Sequence, residues 1–578
     1  MADADARIAR IRTSVIGEGR AIETPFGVRP LVYADYVASG RGLSFIEDLI
    51  RDRILPDYGN THTETSYTGR QTTVLREAAR ETIRKAVGAD QRHAVIFTGS
   101  GATSAVNKLV RALQLQGRLP RRAALAGTPE SELPVVFVGP YEHHSNDLPW
   151  RETGARIRRI PLNAAGGICL ETLASELAAV GEGVPRIGVF SAASNVTGVK
   201  SDVRAIAKLL HAHGALFFCD YAAGAPYMPI CISETAEGAG DHIDALFLSP
   251  HKFVGGPGAS GLLICDKALF EGIEPTATGG GTVSYVTAEG HCYVSSVERR
   301  EEAGTPNIVG DIKAGLALEL KDRVGAHEIE RREAAMVARA MRNWAQDPNI
   351  ELLGPLDAER IGVFALNIRS GSKKLHYGLV VALLNDLFGI QARGGCSCAG
   401  PYGHALLGIG DDDALRHQQE VRGGQSVLRP GWVRLGFNYF FDERTTDYII
   451  EAVRFVAAHG AAFMSLYKVN PQSGVWAMSG AGPKARPATL LEALAPDAAL
   501  QQTAAAEVPD FDTCLETARR LATEQEAALA GLAGDPCGDC GEDDSLRWFW
   551  RPEELPLLHS QLIAGARTSI HKPPSRAS

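Results

Sequence analysis

The prediction of the fold rests on one stretch, Ser249-Pro250-His251-Lys252-Phe253-Val254-Gly255-Gly256-Pro257-Gly258. It follows an apolar run, Ile243–Leu248, that predicts a short buried strand. A lysine just past such a strand is well placed for Schiff-base chemistry, because desolvation lowers its pKa and leaves a neutral nitrogen free to attack an aldehyde. The glycines would let the backbone pass close to a bound ring. The alternative is an ordinary exposed loop lysine, and the rest of the chain has to decide between the two.

Other apolar segments predict strands that alternate with helical patterns: Ala94–Phe97, Pro134–Gly139, Ile187–Phe190 and Ala215–Cys219. Polar residues follow each of these segments. The pattern predicts an α/β fold with a doubly wound, mostly parallel sheet, in which ligands bind beyond the carboxyl ends of the strands.

The turn after the first of these strands, within Thr98–Asn107, consists of small residues and opens a helix. Free backbone N–H groups and the helix dipole make such a turn suitable for a phosphate. The candidates are Gly101, Ala102 and the hydroxyl of Thr103. Turns of this kind are common, so this one is weak evidence by itself.

Two further strand ends supply groups that suit pyridoxal 5′-phosphate. Asp220 ends one strand and Lys252 follows the next, and this cofactor needs a carboxylate for its pyridinium nitrogen and an amine for its aldehyde. His143 follows another strand, where an imidazole could stack on a planar ring and transfer protons. The alternative for His143 is a polar residue of a helix-capping loop.

The second half of the chain predicts a smaller α/β domain, with a helical pattern over Val309–Ala345, strands at Ile350–Leu353 and Val363–Ile368, and a helix at Tyr377–Phe388. A glycine-rich loop follows, and it carries two thiols close to an arginine, a setting that lowers a thiol pKa. The residues are Arg393, Cys396 and Cys398.

These motifs resemble the class V aminotransferase family, which has the PLP fold type I, and within it the cysteine desulfurases, nearest to group II. The resemblance covers about Val32 to Ala457. Ser-Pro-His-Lys is similar to the family's Ser-Gly-His-Lys, which implies that Lys252 is the Schiff-base lysine and that Ser249 and His251 bind phosphate. It also implies the roles of three other residues: His143 as the ring-stacking acid–base, Asn195 as the neighbour of the ring hydroxyl, and Asp220 as the pyridinium partner.

The resemblance further implies a homodimer with a shared active site. Glu302–Asn307 is similar to a segment whose threonine, here Thr305, reaches the phosphate of the other subunit, and Gly279–Gly281 resembles the companion loop. One position departs from the family pattern, because Ala223 stands where a glutamine often contacts the ring oxygen. Either Asn195 covers for it, or the electronics of the ring differ.

By the same resemblance, the cysteine loop is similar to the active-site loop of group II desulfurases. Its register favours Cys398 over Cys396 as the catalytic thiol, although neither need be catalytic. Gly431–Asn438 resembles the strand whose arginine binds the substrate carboxylate, which makes Arg434 the first candidate and Arg393 the second. No second cysteine pair lies near the loop, so we expect no metal there.

The implied activity is that of a PLP-dependent desulfurase, which converts L-cysteine to alanine and an enzyme persulfide that a sulfur-acceptor protein could discharge. The alternatives are another class V enzyme without a catalytic thiol (an aminotransferase, a C–S or selenocysteine lyase, or an epimerase) and a non-enzymatic scaffold. The intact set of Lys252, Asp220 and His143 speaks against the scaffold.

Composition narrows the setting of the 578-residue chain. With 59 basic and 68 acidic residues the formal charge is −9, which argues against non-specific binding of nucleic acid. We find no secretory signal and no apolar run of membrane-spanning length, and the ten cysteines show no regular framework, so we expect a cytoplasmic protein with no membrane contact.

We expect an N-terminal arm (1–30), a large PLP-binding domain (31–308), a small α/β domain carrying the cysteine loop (309–460) and a partly helical C-terminal extension (461–578). The extension has helical patterns at Ala488–Ala505 and Phe511–Leu529, an aromatic patch at Trp548–Trp550 and a tail expected to be disordered after Ile570. Its Cys537 and Cys540 form either two surface thiols or a sulfur-accepting pair.

Overall fold

A computed structural model describes residues 2–61, 63–122, 128–480, 507–530 and 546–570, with the single positions 490 and 494. Within these ranges the α-helices are Ala2–Ser14, Ser44–Leu49, Tyr67–Ala86, Gly101–Leu115, Leu148–Arg151, Leu170–Ala178, Val203–Ala212, Val297–Glu301, Ile308–Val324, Ala326–Trp344, Tyr377–Phe388, Gly400–Leu407, Asp411–Arg422, Glu443–His459, Phe511–Ala530 and Leu555–Ile570.

A seven-stranded sheet forms the centre of the larger part of the protein. Its strands, in spatial order, are His93–Thr98, Gly261–Asp266, Ala245–Leu248, Leu216–Asp220, Arg186–Ser191, Val135–Val138 and Arg156–Arg159. Gly261–Asp266 is antiparallel to both neighbours, and the other pairs are parallel. Apolar clusters cover both faces, which explains why the inner strands read as continuous apolar runs. The prediction of an α/β fold with a mostly parallel sheet is therefore confirmed.

Two strands of this sheet were missing from the sequence prediction. Arg156–Arg159 is a charged edge strand that is only half-buried, so it lacks an apolar pattern. Gly261–Asp266 follows the glycines of the Lys252 motif directly, and its apolar run was not assigned to a strand. The short hairpins Ala21–Thr24 with Gly27–Pro30, Val283–Val286 with His291–Tyr293, and Tyr467–Val469 with Trp476–Met478 were also not predicted.

A second sheet has five strands and carries the second half of the site. Its strands are Ile350–Leu352, Val363–Ser370, Trp432–Gly436 and Arg393–Gly395, in that spatial order, with Lys373–Lys374 paired to Val363–Ser370. A two-residue parallel ladder, Val32–Tyr33 with Ile390–Gln391, ties the start of the chain to the segment just before Arg393. The predicted division into four domains assigns the two sheets to different domains, and it stays a prediction.

The segment with the expected helical pattern, Val309–Ala345, consists of two helices. Gly325 separates Ile308–Val324 from Ala326–Trp344 with a φ of 90°, a conformation that residues with a side chain rarely adopt.

One helical stretch, Glu443–Leu466, is long and apolar enough to cross a membrane by length and composition, with a mean hydropathy of 1.4. The sequence analysis had found no apolar run of this kind. Inside the protein, 67% of its most apolar window is buried, as in the core helix of a globular protein, so it is weak evidence for a membrane span.

The described parts of the C-terminal extension pack on the second sheet and its helices. Phe511 stacks on Tyr448 with ring centroids 4.0 Å apart, and Leu555 and Leu558 are buried in the same apolar cluster as that sheet. Cys537, Cys540, the tail after residue 570 and almost all of the expected helix 488–505 lie outside the described residues.

A buried ion network anchors the segment that carries Thr305. Glu302 accepts hydrogen bonds from Arg76 (2.6 Å), Arg80 (2.8 Å) and the backbone N–H of Phe97 (2.8 Å), and Arg76 also pairs with Asp311 at 2.7 Å. All four charged side chains are at least nine-tenths buried.

We expect Glu302→Ala to lower the free energy of unfolding by about 3–5 kcal/mol, because it leaves buried guanidinium groups without their counter-charge. Denaturant unfolding monitored by circular dichroism measures the change. As a control, Arg51→Ala breaks an exposed pair with Asp52 and should leave the midpoint unchanged. Equal midpoints for Glu302→Ala and the wild type would contradict the anchoring role.

Candidate active site

Lys252 lies at the end of a single 3₁₀ turn, Pro250–Lys252, just beyond the strand Ala245–Leu248. Burial lowers its pKa to about 8, the charge of Asp220 opposes the shift, and the charge of Arg434 adds to it. A buried lysine with a lowered pKa therefore describes Lys252 better than an ordinary exposed loop lysine does. A Cβ on Gly256 would lie 1.9 Å from the carbonyl oxygen of Pro250, so this glycine is required by the turn's own backbone, whereas the sequence analysis had assigned such glycines to a bound ring.

Asp220 ends the neighbouring parallel strand, with its Cα paired to that of Phe247. Its carboxylate accepts a hydrogen bond from the backbone N–H of Ala222 at 2.7 Å, and only 4% of the residue is exposed. Burial raises the pKa of Asp220, while the N–H of Ala222 and the charge of Lys252 lower it. The carboxylate and the amine are therefore electrostatically coupled at the carboxyl edge of the sheet, as the sequence predicted.

The predicted phosphate turn contacts both predicted phosphate ligands from the Lys252 motif. The N–H of Ala102 donates to the hydroxyl of Ser249 at 2.9 Å. Gly101 has a φ of 60°, and a Cβ there would lie 2.8 Å from Ser249 Oγ and 2.9 Å from His251 Cε1. The first turn of the helix Gly101–Leu115 thus forms, with Ser249 and His251, a cradle that a side chain at Gly101 would fill.

His143 is brought to the same edge by a short turn. Its Nδ1 accepts from the N–H of Ser145 at 3.1 Å, so the neutral ring carries its proton on Nε2. Burial, followed by the charge of Lys252, lowers the pKa of His143 to about 3. The hydroxyl of Ser145 lies 2.7 Å from that of Thr103, which links this turn to the phosphate turn.

The two candidate arginines are direct cross-strand neighbours, and both bind a carboxylate that the sequence analysis missed. Asp35 accepts from Arg434 Nη2 at 2.7 Å and pairs with Arg393 Nε at 2.9 Å. Arg434 is buried, whereas 54% of the Arg393 side chain is exposed. No spacing could have revealed Asp35, because it lies about 400 residues from Arg434 along the chain and forms no local motif.

Asn195 lies beside Arg434 and contacts the cysteine loop. Its backbone carbonyl accepts from Arg434 Nη1 at 3.2 Å, and its side-chain Nδ2 donates to the carbonyl of Ser397 at 2.8 Å. Two buried atoms, Asn195 Oδ1 and Arg434 Nε, have no hydrogen-bond partner among the described residues. Buried polar atoms are seldom left unpaired, so these two are suited to a bound ligand.

The cysteine loop is held against this edge by its backbone. The N–H of His144 donates to the carbonyl of Cys398 at 2.8 Å, next to His143, and the N–H of Gly400 donates to His144 Nε2 at 3.2 Å. Ser397 and Cys398 adopt φ values of 52° and 55°, in the left-handed region. Cys398 is exposed, whereas Cys396 is partly buried against an apolar cluster.

Thr305 and the Gly279–Gly281 loop lie together but apart from this cluster. The N–H of Gly304 donates to the carbonyl of Gly280 at 2.8 Å, and the exposed Thr305 accepts a hydrogen bond from Asn60 at 3.3 Å. Among the described residues, no hydrogen bond or ion pair joins Thr305 to the groups around Lys252. Ala223 is buried near Asp220, as expected from its place in the chain.

One cluster elsewhere has the composition of a metal site: His211, His242 and Asp244 offer ligand atoms within 4.8 Å of one another. The two imidazoles are stacked 4.0 Å apart at 15°, so their in-plane lone pairs do not converge on one ion. His211 Nε2 lies 3.0 Å from Asp244 Oδ2, and we interpret the group as an ion-pair cluster at the opposite end of the strands.

The residues gathered around Lys252 fit pyridoxal 5′-phosphate. The amine of Lys252 suits its aldehyde, the carboxylate of Asp220 its ring nitrogen, and the cradle at Gly101 its phosphate. The unpaired Asn195 Oδ1 remains for the ring substituents or the substrate.

Comparison with known proteins places this arrangement in a family. Residues 32–417 match the family Aminotransferase class-V. A probable cysteine desulfurase of Halalkalibacterium halodurans is 30% identical over 376 residues, which cover 64% of this chain and 85% of the relative. A cysteine desulfurase of Escherichia coli is 28% identical over the same length and shares of the two chains.

The fold has counterparts among solved structures. The apo structure of the cysteine desulfurase of Thermococcus onnurineus NA1 superposes with a TM-score of 0.60 at 24% identity, covering 74% of this chain and 95% of that one. The Escherichia coli cysteine desulfurase CsdA superposes with a TM-score of 0.56 at 24% identity, over 73% and 93% of the two chains. The match over residues 32–417, on a fold with Lys252 and Asp220 at adjacent strand ends, shows that the chain belongs to the class V aminotransferases and is a pyridoxal 5′-phosphate-dependent enzyme.

Proposed function

We propose that this protein is a cysteine desulfurase that removes sulfur from L-cysteine, releasing alanine and leaving a persulfide on Cys398. The observation that supports it most is the attachment of the cysteine loop to the cofactor edge, through the carbonyls of Ser397 and Cys398. Without that attachment, nothing would hold the thiol close to the substrate. The names of the two curated relatives support the same activity.

The cofactor supplies an electron sink that makes the Cα–H bond of a bound amino acid acidic. Asp220 would hold the proton on the ring nitrogen of the bound cofactor, while Ser249, His251 and the turn at Gly101–Thr103 would bind its phosphate. Lys252, with a pKa near 8, is neutral often enough at physiological pH to accept the Cα proton. His143 would stack on the ring, and its neutral imidazole keeps Nε2–H as a hydrogen-bond donor.

Arg434 binds the substrate carboxylate, with Arg393 assisting from the neighbouring strand. Asp35 binds Nη2 and the carbonyl of Asn195 binds Nη1, which leaves the Nε–H of Arg434 without a partner among the described residues and able to donate to a carboxylate. The thiolate of Cys398 then attacks the substrate sulfur. An S–S bond forms, the Cβ–S bond breaks, and the electron pair left on Cβ takes up a proton before alanine leaves.

Cys398 is the better nucleophile of the two thiols because it is exposed and its carbonyl is bound beside His143. Cys396 packs against an apolar cluster, as a structural thiol does. The proposal includes a cytoplasmic homodimer in which Thr305 and Gly279–Gly281 meet the phosphate of the other subunit, and a protein that accepts the persulfide sulfur. The exposure of Thr305 and its contact with that loop support the dimer.

We expect Cys398→Ala to abolish alanine formation from L-cysteine while the visible absorbance of the cofactor is retained, because the thiol acts only after the cofactor has bound. Cys396→Ala is the matched control and should keep at least half of the activity. Alanine is measured by amino-acid analysis, and the persulfide by intact mass. Full alanine formation by Cys398→Ala would favour a class V activity without a catalytic thiol.

The lowered pKa of Lys252 predicts a pH dependence for loading the apoenzyme. Only the neutral amine attacks an aldehyde, so the rate of pyridoxal phosphate uptake should rise about tenfold per pH unit below pH 8 and level off above it. Stopped-flow absorbance follows the reaction. A free lysine amine, with a pKa of about 10.4, should show no plateau over this range; a plateau near pH 10 in the enzyme would contradict the shift.

We expect Arg434→Lys to lower kcat/KM for L-cysteine about 100-fold, mainly through KM, because a lysine cannot keep both Asp35 and the substrate carboxylate. Arg393→Lys should lower kcat/KM by a smaller factor, because the side chain of Arg393 is half-exposed and its ion pairs are weakened by water. Steady-state kinetics on cofactor-loaded protein separates the two. A larger effect at Arg393 would reverse the assignment.

A further inference from the structure

The last described segment of the extension continues the edge of the second sheet. Phe549 forms a parallel bridge with Lys374, in which the N–H of Lys374 donates to the carbonyl of Trp548 at 3.2 Å and the N–H of Trp550 donates to the carbonyl of Lys374 at 3.1 Å. The indole N–H of Trp550 donates to the carbonyl of Ser370 at 2.6 Å. The segment is thus fixed in one register, in which Trp548 faces the start of the helix Tyr377–Phe388.

Trp548 stacks on the two rings at that helix start. Its ring lies 5.4 Å from that of His376 at 18° and 5.8 Å from that of Tyr377 at 22°. His376 is held rigidly, because its Nε2 donates to the carbonyl of Val427 at 3.1 Å and its Nδ1 accepts from the indole of Trp476 at 2.9 Å. Trp548 and the fixed ring of His376 therefore both pack against the ring of Tyr377 and restrict its movement.

Tyr377 in turn supports the strand that leads into the cysteine loop. A Cβ on Gly394 would lie 2.6 Å from Tyr377 Cδ2, and one on Gly431 would lie 2.7 Å from Tyr377 Cε1, so the ring is in direct contact with both backbones. Its hydroxyl donates to the carbonyl of Arg429 at 3.3 Å. Burial raises the pKa of Tyr377 to about 12, while the charge of Arg429 opposes the shift.

The cysteine loop needs such support because its backbone is strained. Left-handed φ values at non-glycine residues are strained and persist only where the surroundings enforce them. Ser397 and Cys398 both have such values. Asn195 and His144 bind the loop from the cofactor side, and Tyr377 packs against its approach from the other side.

We propose that Trp548 is a positioning residue, through which the C-terminal extension holds Tyr377 against the approach to Cys398 and so keeps the loop in the geometry needed for sulfur transfer. The proposal deepens the desulfurase function and rests on it. Chemistry at Cα depends on Lys252 and the cofactor, whereas Arg393, on the supported strand, assists only in binding the substrate carboxylate; Cα exchange at saturating L-alanine is therefore independent of this contact.

The test compares Trp548→Ala with Trp548→Phe, which keeps a stacking ring. Phe511→Ala is the matched control, because Phe511 is also an extension aromatic stacked on a tyrosine, Tyr448, but has no part in this chain of contacts. Three quantities are measured on cofactor-loaded, full-length protein: alanine formation from L-cysteine, exchange of the Cα proton of L-alanine in D₂O, and backbone amide exchange of residues 393–400 by mass spectrometry.

Trp548→Ala should slow alanine formation tenfold or more, since small misplacements of a reacting group are costly, and leave Cα exchange within twofold of the wild type. Amide exchange over 393–400 should become faster. Trp548→Phe should restore most of both losses, and Phe511→Ala should change none of the three quantities. If the alanine variant is too unstable to purify, Trp548→Leu, which fills the space without stacking, should give the same pattern.

Unchanged amide exchange over 393–400 in Trp548→Ala would overturn the proposal, as would an equal loss of alanine formation and Cα exchange, which indicates a general role in stability. The amide exchange does not depend on the reaction. If Cys398→Ala formed alanine normally while Trp548→Ala still loosened residues 393–400, the desulfurase function would fail and the structural support by Trp548 would stand.

Discussion

The active site depends on keeping one amine out of water. Burial lowers the pKa of Lys252, the charge of Asp220 at the end of the next strand is the main effect that opposes it, and the resulting pKa is about 8. That balance requires the two strands to be adjacent and parallel, so that both residues emerge at the same edge. The sheet order, the apolar layers on both its faces and the tight turn at Gly256 all serve that placement.

The second constraint is the geometry of the cysteine loop, which the large sheet alone cannot provide. Its anchors come from three distant parts of the chain: Asn195, His144 and Tyr377. A strained loop held from both sides can present a thiol at one position while the thiol itself stays exposed. In the desulfurase that we propose, the same exposure would let a partner protein reach a persulfide on Cys398.

The sequence was sufficient for the features whose signal is local. Strand ends followed by polar residues predicted the edge on which Asp220, His143 and Lys252 gather, and the helix Tyr377–Phe388 was predicted to the residue. The charged edge strand Arg156–Arg159 was not predicted, because an edge strand need not show alternating apolar residues. Asp35 could not be predicted, because its role depends on two arginines that are far from it in the sequence and close to it only in the folded protein. Trp548 was assigned only to an aromatic patch, because stacking between distant rings produces no periodic pattern in the sequence.

Asp35 also has a consequence for how the protein is made. It belongs to the first tenth of the chain, yet its partner Arg434 lies in a strand that is synthesised only after three quarters of the protein, and Val32–Tyr33 pairs with Ile390–Gln391 on the way. Contacts between residues so far apart in the sequence form late in folding, because the entropy of closing a long loop is lost before the contacts contribute any stabilising free energy. On the ribosome, the lysine edge can therefore fold while the carboxylate-binding arginines are still missing. A nascent chain therefore contains Asp220, Lys252 and the turn at Gly101–Thr103 well before it contains Arg393 and Arg434.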